Sequence, residues 1–163
     1  MITAIDFVSL EVFQALAPAP DMLAISIGDL DQAPPDNLPR FTASIRLAFL
    51  DCDEVDVAGY GMPQKVLFSQ AQLATLARFV AERHADPEQY RLVVHCRMGS
   101  SRSAAVALVA HHLTKGEFPR YADAHHANGH VLRLAAATFG AIAAPQKALG
   151  DEPHPYLPTQ LQI

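Results

Sequence analysis

Between a short apolar run and an alanine-rich stretch lies His95-Cys96-Arg97-Met98-Gly99-Ser100-Ser101-Arg102-Ser103, and no other part of the chain restricts its fold as much. Residues 91–95 have the length and apolar character of a buried strand, whereas residues 103–114, rich in alanine and closed by Gly116, read as a helix. The nine residues therefore lead onto a helix N-terminus, where unpaired N–H groups and the positive end of the helix dipole favour an anion. Five residues separate Cys96 from Arg102. That is enough chain to wrap a tetrahedral oxyanion with successive amides turned inward, Gly99 permitting the turn. Helix N-termini and neighbouring cations favour the thiolate of a cysteine, so Cys96 reads as a nucleophile. Arg102 offers a planar fork that can hold two oxygens at once, which lysine cannot do.

The rest of the chain reads as an α/β pattern. Residues 5–10 and 22–27 are strand-like, and residues 11–17 form a short helix ended by Pro18 and Pro20. Residues 28–39 are loop, residues 44–50 alternate as a strand, and residues 52–68 read as a long loop. Ser69 opens the clearest helix, with Gln72 completing a capping box and Leu73, Leu76, Ala77 and Val80 forming one apolar stripe that Asp86-Pro87 stops. Leu92, Val93 and Val94 are apolar on both faces, as expected of a strand covered by helices on either side. Ala104, Ala105, Ala107 and Ala110 predict a closely packed central helix, and Val131, Leu134, Ala135, Phe139 and Ile142 a last amphipathic one. The expected architecture is α/β and three-layered, with a central, mostly parallel sheet of four to five strands flanked by helices. One domain over residues 1–144 is followed by a proline-containing tail, residues 145–163, expected to be draped or loose.

His95, Cys96, Gly99, Arg102 and Ser103 match the His-Cys-x5-Arg-Ser/Thr signature, and the segment resembles the cysteine-dependent protein tyrosine and dual-specificity phosphatases, small bacterial-type members above all. The resemblance spans residues 45–139, although its specificity comes almost wholly from residues 95–103. It implies a metal-free, cofactor-free hydrolysis through a phosphocysteine on Cys96, with Arg102 as transition-state clamp. Arg97, Met98, Gly99, Ser100, Ser101 and Arg102 would form the phosphate cradle, Ser103 would stabilise the departing thiolate, and His95 would brace the loop. A general-acid aspartate is implied upstream, after a strand. Asp51 at the end of residues 44–50 is the first choice, with Asp53 the alternative and Asp56 third, and the same carboxylates could equally be a solvated acidic loop. Asn128, in Ala127-Asn128-Gly129-His130, matches a supporting asparagine of the dual-specificity enzymes, although an N-cap for the last helix explains it equally well.

Composition bounds this reading. A chain of 163 residues, half hydrophobic, can bury one core, and its net charge of −5 argues against general binding to nucleic acid or an anionic membrane. No apolar run is long enough to span a bilayer and no basic leader precedes the first strand, so a cytoplasmic protein is expected. Two cysteines, Cys52 and Cys96, do not make a disulfide framework. Cys52 reads as a small apolar residue at a strand end, with a reversible bond to Cys96 under oxidation as the alternative. His126 and His130 have helical i, i+4 spacing, but the intervening Gly129 and the lack of a carboxylate signature argue against a metal pair. Arg97 could favour a polyanionic ligand, yet Met98 and Ser100 are not lysines, so a phosphoprotein is preferred over a phosphoinositide or other small phosphomonoester. Two rival functions fit the same cradle: a phosphate-binding module without useful hydrolysis and, less well, a rhodanese-like sulfurtransferase.

Overall fold

The computed structural model describes residues 1–146 and 160–163. Four strands form one sheet: β1 (Ile2–Ser9), β2 (Met22–Gly28), β3 (Ala43–Ala48) and β4 (Tyr90–Cys96). Their order is β1-β4-β2-β3 and every pairing is parallel. β4 therefore has a neighbour on each side, and Leu92, Val93 and Val94 are wholly buried, as both-face apolarity predicts. The expected three-layer α/β architecture is present, with four strands.

Helices cover both faces. On one lie α3 (Gln70–Ala85), α4 (Arg102–Thr114) and α5 (Gly129–Phe139), which share a core with Ile5, Phe7, Leu23, Ile25, Leu92 and Val94. Ser103 through Ala110 of α4 are buried without exception; the alanines let the helix approach the sheet and its helical neighbours together. On the other face α1 (Leu10–Ala15) sets Phe13 over Val8, Ala24 and Val93, and Phe13 stacks on Phe41 at 5.0 Å. Leu161 and Ile163 pack against this second core. Beneath them Arg120 Nε donates to Asp6 Oδ1 at 2.7 Å, the Gln162 amide donates to Asp6 Oδ2 at 2.6 Å, and Arg120 Nη2 donates to the Gln160 carbonyl. The last four residues are thus seated on the sheet rather than loose. The rest of the proline-containing tail, residues 147–159, lies outside the described residues.

Three expectations change. Residues 52–68 are not simply loop: α2 (Glu54–Tyr60) begins at Asp53, whose carboxylate caps Val55 and Asp56 while Asp56 returns a bond to the Asp53 amide. An acidic run that reads as solvated is therefore a capping box with aspartate in the place usually held by Glu or Gln. Gly61, at φ 64°, closes the helix. The left-handed residue that ends α4 is Lys115, at φ 59°, not Gly116. Gly116 is where the chain crosses β1, since a Cβ there would lie 3.2 Å from the Thr3 carbonyl. Finally, α5 stops at Phe139, so Ile142 packs on the core from outside the helix.

Candidate active site

β4 ends at Cys96 and α4 begins at Arg102, which places the motif loop at the carboxyl end of the sheet, where parallel strands deliver their ligand sites. The loop is clamped from behind. Gly99 has φ 72°, and a Cβ on it would fall 2.3 Å from the Ser9 amide nitrogen, so any other residue would both strain the turn and push the loop off β1. The Leu10 amide donates to the Arg97 carbonyl at 3.2 Å, and the Asn128 amide donates to the Ser101 carbonyl at 3.2 Å.

The Cys96 sulfur is buried, accepts from the Gly99 amide at 3.2 Å and lies 3.2 Å from the Ser103 hydroxyl, which can donate to it. Both would favour a sulfur anion. The Arg102 guanidinium, 5% exposed, is held among the described residues through Nη1, which donates to Asp29 Oδ1 at 2.8 Å and to the Phe49 carbonyl at 2.7 Å. Its Nε is buried with no hydrogen-bond partner among the described residues. An unpaired buried N–H is disfavoured by about 1–3 kcal/mol, and an oxyanion in the loop would remove that penalty. Ser100 is buried and Ser101 half-buried, while Arg97 and Met98 turn outward.

Asp51 projects into the same region from the loop after β3. Its Oδ1 accepts from Ser101 Oγ at 2.7 Å and from Asn128 Nδ2 at 2.9 Å, and the carboxylate stays exposed. Asn128 holds three parts together: its amide nitrogen binds the motif loop, its Nδ2 binds Asp51, and its Oδ1 caps the Val131 amide of α5. Asn128 is thus the N-cap of α5 and also joins the Asp51 loop to the motif loop. Asp53 and Asp56 are occupied with each other and with the amides of α2. Glu54 ties α2 to α5, accepting from Arg133 Nη2 at 2.6 Å and meeting His130 Nδ1 at 2.7 Å. Its own backbone amide first, and then His130 and Arg133, hold its carboxyl down to about 2. His130 Nε2 lies 2.8 Å from the Phe68 carbonyl, so this histidine braces the acid loop.

Behind the loop, His95 is buried with its ring centroid 4.0 Å from that of Phe13. Its Nε2 meets Ser26 Oγ at 2.7 Å. Burial above all, then the nearby Arg46 guanidinium, pushes its titration down to about 3, against a partial offset from the Cys96 backbone. Both cysteines are free thiols. Cys52 packs against Val57, Val66 and Leu67, and burial, with Asp56, Asp51 and Asp53 nearby, pushes its thiol up, so it behaves as the small apolar residue that its position suggests.

Sequence reasoning misses Asp29, Ser26 and Arg46. None belongs to a motif, and Asp29 precedes Arg102 by 73 positions. The one usable signal is topological: if β2 lies beside β4, the residue just after β2 must border the loop just after β4. No protein-family model, no curated protein and no solved structure matches the chain. The candidate site therefore rests on its own geometry and on the resemblance of residues 95–103. No helix among the described residues is long and apolar enough to cross a membrane.

Proposed function

We propose that the protein is a phosphoric-monoester hydrolase, a tyrosine or dual-specificity protein phosphatase that works through a phosphocysteine. The observation that carries the reading is the pairing, on one short loop, of a buried sulfur in contact with the Gly99 amide and the Ser103 hydroxyl with a buried guanidinium anchored through Nη1 and, among the described residues, unpartnered at Nε. The Cys96 thiolate attacks phosphorus in line, so that an S–P bond forms as the ester P–O bond breaks. Asp51 in its acid form gives its proton to the departing oxygen. The resulting carboxylate takes a proton from water, the water oxygen attacks phosphorus, and the S–P bond breaks to release phosphate and the thiolate. Ser103 donates to the sulfur at both stages, and Arg102 with the loop amides offsets charge on the equatorial oxygens.

Asp51 is favoured over Asp53 because Asp53 spends its Oδ1 on two amides of α2, whereas Asp51 is exposed beside Ser101. Leu30, next to Asp29, and Met98, next to Arg97, are exposed apolar side chains, and the carboxylates of Asp29 beside Arg102 and Asp51 beside Ser101 make the rim acidic. That rim suits a phosphate carried on a polypeptide or aryl group and disfavours a polyanionic headgroup. The test is phosphate release from phosphotyrosine and phosphoserine peptides, a phosphoinositide, a nucleotide and an aryl phosphate. Peptide or aryl substrates should turn over, Cys96→Ser should abolish turnover, and Asp51→Asn should slow it by about 10²–10⁴. Full activity in either variant contradicts the assignment. Tight phosphopeptide binding without release would make the protein a phosphate-reading module, and cyanide conversion with thiosulfate a sulfurtransferase.

A further inference from the structure

One row of side chains crosses three adjacent strands behind the motif loop. Ser26 of β2 is in register with Arg46 on β3 and with His95 on β4. Arg46 Nη1 donates to Ser26 Oγ at 2.7 Å, and the same oxygen lies 2.7 Å from His95 Nε2, one residue before the nucleophile. Arg46 Nη2 donates to the Gln32 carbonyl at 2.9 Å. A hydroxyl has one proton. With Arg46 donating to the Ser26 oxygen, one lone pair and that proton remain for His95 Nε2, so the contact holds the ring in place in either tautomer, while Nδ1 is buried with no hydrogen-bond partner among the described residues.

Gly28 carries independent evidence that the guanidinium position is built. Its φ is not in the left-handed region, so backbone conformation does not require glycine there, but a Cβ would lie 1.9 Å from Arg46 Nη2. The residue is small because the guanidinium lies against it. The charges around the loop are Arg97 on the loop itself, turned outward, Arg102 at the start of α4, Asp29 after β2, Asp51 after β3, and Arg46 within β3. Asp29 compensates Arg102 at 2.8 Å, whereas Arg46 has no carboxylate within ion-pair distance among the described residues and bonds only a hydroxyl and a carbonyl there. Burial and repulsion from Arg102 accordingly pull its titration down, with Asp29 opposing them.

We infer that Arg46 is a positioning residue for Cys96: through Ser26 it fixes the orientation of His95, and it contributes from the strand side a cation that no carboxylate among the described residues pairs with. This goes beyond the phosphatase reading, since a cation fixed behind the loop would favour a sulfur anion at Cys96 whatever the substrate. A sulfur anion is stabilised by positive charge nearby, so removing the charge should shift its formation to higher pH.

The experiment is the pH dependence of Cys96 alkylation by iodoacetamide, read by mass spectrometry on the full chain, alongside aryl phosphate turnover. In Arg46→Met the midpoint of alkylation should rise by about one pH unit, a loss of about tenfold in rate below it. Arg46→Lys, which keeps the charge, should recover most of that loss, and Gly28→Ala, which displaces the guanidinium, should shift the midpoint in the direction of Arg46→Met. Ser26→Ala, which breaks the relay and keeps the cation, should impair turnover more than alkylation. An unchanged profile in folded Arg46→Met overturns the inference, and so does an Arg46→Lys variant as impaired as Arg46→Met, because shape alone would then be at work. If Arg46→Met does not fold, the Lys and Gly28 variants decide. Should no phosphoester be hydrolysed at all, the alkylation profile still tests Arg46 and the phosphatase reading fails separately.

Discussion

Arg120 and Arg102 are both buried and both paired with an aspartate, yet they are finished in opposite ways. Arg120 and Asp6 are each fully excluded from solvent, and the pair is saturated: Asp6 also receives the Phe7 and Gln162 amides, while Arg120 also donates to the Gln160 carbonyl and approaches Asp123. At Arg102 the aspartate is about two-fifths exposed, Nη1 meets both acceptors, and Nε has no partner among the described residues. A structural ion pair satisfies every group, because an unpaired buried charge is heavily destabilising. A site meant for an exchangeable anion has to leave donors open.

Breaking the saturated pair should have the largest effect on stability. Arg120→Met leaves Asp6 buried without its cation and should lower unfolding free energy by about 3–5 kcal/mol, read by denaturant titration. The protein that stays folded should still turn over an aryl phosphate. Arg102→Lys should do the reverse, lowering turnover by about 10²–10³ while leaving the denaturant midpoint near that of the parent. If Arg102→Lys instead unfolds the chain as Arg120→Met does, the contrast between the two arginines collapses.

A third, smaller effect lies in the pH dependence of folding. His95 titrates near 3 when folded and near the ordinary histidine value of about 6.5 when unfolded, so below that higher value the unfolded chain binds a proton that the folded one refuses. The stability that this buried neutral imidazole lends is complete above pH 6.5. It is lost as pH falls toward 3, at up to about 1.4 kcal/mol per unit. His95→Gln should flatten that part of the stability curve, measured as denaturant midpoints at pH 7, 6 and 5.

The same contrast marks what could be read in the sequence. Cys96, Arg102 and the central strand share one continuous stretch, so periodicity and motif spacing reveal them together. The capping box at Ser69 and Gln72 was equally readable, since both residues have their usual identities. The box at Asp53 and Asp56 was not, because aspartate at its fourth position looks like one more solvated charge. Asp29, Ser26 and Arg46 were invisible for another reason: each acquires its partner only because β2 lies between β4 and β3, an ordering that no local pattern encodes. The Asp6 and Arg120 pair, 114 positions apart, is hidden in the same way.

The central claim is that Cys96 becomes covalently phosphorylated while Arg102 holds the phosphoryl oxygens. Acid-quenched Asp51→Asn protein, mixed with an aryl phosphate and analysed by peptide mass spectrometry, should carry a phosphoryl group on the peptide containing Cys96, and the adduct should vanish in Arg102→Ala. Phosphate release from the parent protein with no adduct on Cys96, or an adduct on another residue, would contradict the account.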